Sequence, residues 1–122
     1  MLVDDDTMDN AYHTLVLRKI GAAREIVAFT SPAEALGALR AGRTFDLIFL
    51  DLNMPRMDGF EFAAAAADLP EEQRPPIIMV TGSTDEQDRG RAAEFPEIRD
   101  YLAKPLTQHS VRVTVGRLFA EA

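Results

Sequence analysis

The sequence predicts a doubly wound α/β domain: about five parallel strands alternating with about five helices. Three observations carry this. Four short apolar runs are continuous rather than alternating, as strands covered on both faces are. Segments of helical spacing lie between them. The 122 residues are enough for one core and show no long linker or internal repeat, so residues 1–122 read as a single domain.

The strand candidates are residues 1–3, 26–29, 47–50 and 77–80, with 101–103 a weaker fifth. The first helix is marked by Tyr12, Leu15, Val16 and Ile20, and Gly21 can end it. Ser31-Pro32-Ala33-Glu34 has the form of a capping box with proline at the first helical position. Leu36 and Leu39 then share a face, and Gly42 supplies a stop. Phe62, Ala66 and Leu69 mark a third helix through an alanine run, a strong helix former that permits close packing on a sheet. Residues 85–95 are polar and predict an exposed fourth helix. The last segment is open: Val111, Val115, Leu118 and Phe119 fit a helical stripe, yet Val111-Arg112-Val113-Thr114-Val115 alternates like a strand.

Composition narrows the function. The chain has no cysteine, which excludes disulfides, thiol chemistry and cysteine zinc sites. The net charge of −7 argues against nucleic acid as a partner. No apolar run approaches the length needed to span a membrane, and the first residues form no signal peptide. A cytoplasmic location is the expectation.

In a doubly wound sheet, functional groups collect at the carboxyl ends of the strands. After the first strand stand Asp4, Asp5 and Asp6; after the third, Asp51; after the fourth, Thr81, Gly82 and Ser83; after the fifth, Lys104 and Pro105. Crowded carboxylates repel one another, and a hard divalent cation such as Mg²⁺ resolves that conflict. An aspartate can then act as a nucleophile toward phosphorus, with Lys104 and the Thr81 hydroxyl holding the transferring oxygens. Gly82 leaves the approach to Asp51 open, and Met54-Pro55-Arg56-Met57-Asp58-Gly59 is a turn sequence.

With these blocks in order, the chain resembles the receiver domains of bacterial two-component response regulators. The blocks are Leu2-Val3-Asp4-Asp5-Asp6, Phe49-Leu50-Asp51-Leu52-Asn53-Met54-Pro55 with Met57-Asp58-Gly59, Met79-Val80-Thr81-Gly82, and Tyr101-Leu102-Ala103-Lys104-Pro105-Leu106. The resemblance implies a flavodoxin-like sheet of order 2-1-3-4-5. It implies Asp51 as phosphoacceptor, with Thr81 and Lys104 on the phosphoryl oxygens. Mg²⁺ would be held by Asp4, Asp5, Asp51 and the main-chain carbonyl of Asn53. Tyr101 would be the aromatic switch that answers Thr81, and Asn53 and Ser83 would tune the phosphoryl lifetime. The implied function is that of a single-domain response regulator, a signalling domain rather than an enzyme, that assists its own phosphorylation and dephosphorylation. A sensor histidine kinase or histidine phosphotransfer protein would be its donor and a downstream protein its target; it would be a monomer or homodimer. The chain departs from the family in three places. Only three residues precede Asp4, Pro96-Glu97-Ile98 replaces the usual Gly-Ala pair, and the last segment is rich in valine.

Each block taken singly has a plainer reading. Asp4–Asp6 can cap a helix, Asp51 and Lys104-Pro105 can be turn residues, and Tyr101 can cover a sheet edge with its hydroxyl in water. His13 and His109 lack partners at ligand spacing and are expected at the surface, as is Met8. Met54 and Met57 are expected to pack near the turn. Two other functions compete. Haloacid-dehalogenase-type phosphatases use similar groups, but their nucleophile follows the first strand in an Asp-x-Asp pattern and a cap segment holds the substrate. A receiver that binds partners without phosphorylation would not need every functional position filled.

Overall fold

A computed structural model describes residues 1–21, 23–82 and 85–119; the expected tuning residue Ser83 lies outside them. Five parallel strands, β1 (Leu2–Val3), β2 (Ala28–Phe29), β3 (Ile48–Asp51), β4 (Ile77–Thr81) and β5 (Ile98–Ala103), form one sheet in the order β2-β1-β3-β4-β5. Between and after them run α1 (Thr7–Ile20), α2 (Pro32–Arg40), α3 (Gly59–Ala66), α4 (Glu86–Ala92) and α5 (Gln108–Phe119). The expected fold and strand order are both realised.

Alternation along the central strands splits the core in two. Val3, Ile48, Leu50, Ile77 and Met79 meet Leu36 and Leu39 of α2 and Phe62 and Ala66 of α3. Leu2, Phe49, Ile78 and Val80 meet Val16 and Leu17 of α1 and Val111 of α5. Each fully buried large side chain contributes about 1.5–3 kcal/mol. This two-sided demand is why the strands read as unbroken apolar runs.

Caps set the helix ends. Ser31 accepts from the Glu34 amide at 3.2 Å. Asp58 and Glu61 form a reciprocal capping box at the start of α3. Gly21 ends α1 in the left-handed region, at φ 72°.

Four expectations are corrected. Tyr12 and Leu15 do not face the core; they are 49% and 56% exposed, while Asn10, His13, Val16 and Leu17 are buried. The helix is rotated so that its polar residues lie over the loops that leave β1 and β5, where main-chain groups need partners. His13, expected at the surface, is therefore 4% exposed. β2 is a two-residue, partly exposed edge strand rather than a central one. β5 begins at Ile98, ahead of the expected 101, because Ile98 and Asp100 pair with Ile77 and Ile78 of β4 across a register shift. The ambiguous last segment is helical. Thr107 and Ser110 exchange hydrogen bonds between side chain and main chain at its start. Val111 and Thr114 are buried, and Val113 points outward.

Candidate functional site

The carboxyl ends of β1, β3, β4 and β5 converge. Pairing in register sets Thr81 beside Ala103, and the Lys104 amide donates to the Thr81 carbonyl at 2.8 Å. Asp51 closes β3, held from behind by Gly59, whose amide donates to the Leu52 carbonyl at 2.8 Å. A Cβ on Gly59 would lie 2.8 Å from Met79 Sδ and 3.0 Å from both the Asp51 carbonyl oxygen and Leu52 Cα. Gly59 is thus demanded by close approach beneath Asp51, a role its place in a turn sequence does not reveal.

The three acids after β1 divide their work. Asp6 is the N-cap of α1, and its carboxylate accepts from the Met8 amide at 2.8 Å. The plain capping reading therefore holds for Asp6. Asp4 is buried and Asp5 exposed. Together with Asp51 they each offer one carboxylate oxygen, and these oxygens lie within 4.8 Å of one another. Three convergent hard oxygen donors fit a divalent cation of the Mg²⁺ type.

Lys104 is the cation of the site. Its Nζ lies 2.8 Å from Asp4 Oδ2, 2.8 Å from Asp9 Oδ2 and 3.1 Å from Asp51 Oδ1. Burial opposes its charge, but the three carboxylates outweigh that and raise its pKa. Asp51 is 5% exposed. Its pKa is pushed up to about 6, first by burial and then by Asp4, against the opposing pull of Lys104 and the Asn53 amide. It remains mostly ionised at pH 7 and so keeps a nucleophilic carboxylate.

Thr81 is fully buried, and its Oγ1 accepts from Asn53 Nδ2 at 3.4 Å. A Cβ on Gly82 would meet nothing within 4 Å, so the approach is open. Tyr101 does not leave its hydroxyl in water. That oxygen is buried and lacks a hydrogen bond of normal geometry among the described residues, while the ring lies under the Arg89 guanidinium at 5.1 Å. Burial raises the phenol pKa, as does Asp88; Arg89 and Thr81 act in the opposite sense.

The sequence reading missed two residues of α1. Asp9 holds Lys104, and His13 Nε2 accepts from the Leu106 amide at 3.3 Å. Burial lowers the His13 pKa, which suits the neutral acceptor form. A signal was present: Asp9, Asn10 and His13 form a polar patch on one helical face, the pattern of a helix that serves a site.

Fold and site define a class: small doubly wound domains whose chemistry sits around an acidic, cation-compatible pocket at the strand ends. Residues 1–115 match the response regulator receiver domain family, and the chain belongs to that family. The cyclic di-GMP phosphodiesterase response regulator RpfG of Xanthomonas campestris is 36% identical over 97% of this chain. The chain spans 31% of that protein's length. It spans 14% of the sensor histidine kinase CheAY of Helicobacter pylori, at 29% identity over 96% of this chain. A response regulator receiver protein from Dyadobacter fermentans superposes with a TM-score of 0.88 at 32% identity, covering 97% of this chain and 94% of its own. The family serves two-component phosphorelays as a signalling domain, not as an enzyme in the usual sense, and its members bind Mg²⁺ at an acidic site.

Proposed function

We propose that the chain acts in the cytoplasm as a response regulator receiver domain that accepts a phosphoryl group on Asp51 from a histidine kinase or phosphotransfer protein. The observation that carries this is the Lys104 ammonium at 3.1 Å from Asp51 Oδ1, in a pocket where Asp4, Asp5 and Asp51 converge.

An Asp51 carboxylate oxygen attacks phosphorus while the bond from phosphorus to the donor's imidazole nitrogen breaks, its electron pair leaving with the imidazole. Lys104 keeps its protons and donates a hydrogen bond to a phosphoryl oxygen, and the Thr81 hydroxyl donates to another. Asp4, Asp5 and Asp51, with the Asn53 carbonyl, would hold Mg²⁺, which supplies charge neutralisation for the phosphoryl oxygens. Such chemistry is mostly positioning, and the dense hydrogen bonding of Lys104 supplies that. The open space beside Gly82 favours entry of a donor side chain.

The readout follows from Thr81. Its hydroxyl turns toward the phosphoryl oxygens, Tyr101 answers by repacking, and the surface of α4, β5 and α5 changes for a downstream protein. The test is incubation with acetyl phosphate, with and without Mg²⁺, beside Asp51→Asn. A Mg²⁺-dependent adduct of one phosphoryl group in intact mass, absent from the variant, is expected. No adduct in the unmodified protein sinks the reading.

A further inference from the structure

A lysine ammonium has three N–H donors. In Lys104 all three face carboxylates, at 2.8 Å to Asp4, 2.8 Å to Asp9 and 3.1 Å to Asp51. These partners differ in kind. Asp4 and Asp51 belong to the group whose oxygens converge for a cation, and Asp9 does not. Asp9 also comes from a different element, the first turn of α1 rather than a strand end. Four residues on, His13 accepts from the Leu106 amide at 3.3 Å. One helical face therefore grips the segment after β5 twice, once by the Lys104 side chain and once by the Leu106 main chain.

We infer that Asp9 is a positioning residue for phosphoryl transfer: it tethers Lys104 throughout the reaction. The inference rests on the reading of Asp51 as phosphoacceptor. When a cation occupies the carboxylates of Asp4 and Asp51, two of the three contacts of Lys104 are weakened. Asp9 retains the third. A flexible four-carbon stem is thereby kept over Asp51, and the N–H that faced Asp51 turns to a phosphoryl oxygen as the bond to phosphorus forms. No proton leaves Lys104. Asp9 touches neither cation nor phosphoryl group and acts only through the ammonium.

The test is a double-mutant cycle. Asp9→Ala and Asp9→Asn are made in the unmodified chain and in a Lys104→Ala background. The rate of phosphoryl uptake from acetyl phosphate at saturating Mg²⁺ is read by intact mass, with amide fingerprints checking the fold. Each Asp9 change is expected to slow uptake on the order of ten-fold alone, and to have no effect when Lys104 is already absent. Mg²⁺ affinity, read by tyrosine fluorescence without a phosphoryl donor, is expected to change less than about two-fold, because Asp9 is no ligand. Uptake at the unmodified rate or faster in Asp9→Ala overturns the inference. So does a slowing that persists in the Lys104→Ala background, which would mark a merely structural role. Failure of the unmodified protein to take up phosphoryl groups is distinguishable from both: it overturns the phosphoacceptor reading, and this inference with it.

Discussion

Replacing Asp51 with asparagine should make the metal-free protein more stable at neutral pH. Asp51 has its pKa pushed from 3.8 to about 6, chiefly by burial and by Asp4. The ionised form is therefore disfavoured in the folded state relative to the unfolded chain. A carboxylate shifted upward binds more protons when folded, so stability falls as pH rises between 3.8 and about 6, then levels off. A shift of roughly two units corresponds to about 3 kcal/mol at pH 7. Asparagine removes that penalty while preserving shape, and Lys104 keeps its 2.8 Å contacts with Asp4 and Asp9. Urea denaturation in chelator at pH 4, 5, 6 and 7 is the assay. The variant should match the unmodified protein at pH 4 and gain steadily to about 3 kcal/mol at pH 7, on the order of 10 °C in Tm. Mg²⁺ should shrink the gap, since it binds and stabilises the folded unmodified protein more strongly. A variant no more stable at pH 7, or a gap that ignores pH, would refute the reasoning.

Two further predictions concern the supports of the site. Gly59→Ala should cost about 1–3 kcal/mol by overpacking, because two of the three nearest atoms, at 3.0 Å, belong to the main chain and cannot swing away; a neutral result in urea melts would show that the main chain beneath Asp51 yields. His13→Leu should cost about 1–3 kcal/mol, because it strands the Leu106 amide that now donates at 3.3 Å. Hydrogen exchange at Leu106 should quicken along with the loss, and unchanged exchange would mean that His13 does not hold that amide.

Much of this was open to reading along the chain. A parallel strand buried on both faces has to be apolar at every position, so Ile48–Asp51 and Ile77–Thr81 announced themselves almost to the residue. The residues next to those runs then fell together, because parallel strands end on one side of the sheet. β2 and β5 were harder to bound. An edge strand has only one neighbour to satisfy, so its sequence carries weaker constraint, and pairing with that neighbour decides its extent.

The helix faces were not legible in the same way. α1 offers Tyr12 and Leu15 as readily as Val16 and Leu17 to a core, and spacing alone does not choose. Asp6 shows the same limit: three adjacent aspartates look alike in the chain, yet one caps a helix while two face the cation pocket. Local chemistry in this sequence determined the strand cores, the turn residues and the roster of acids, hydroxyl and lysine at the strand ends, because each follows from neighbours a few positions away. Tertiary structure alone decided that Asp9 meets Lys104 across 95 residues, that His13 is buried against Leu106, and that Gly59 backs Asp51. Those contacts depend on how α1 and α3 are rotated and seated on the sheet, which is set by the packing of the whole domain.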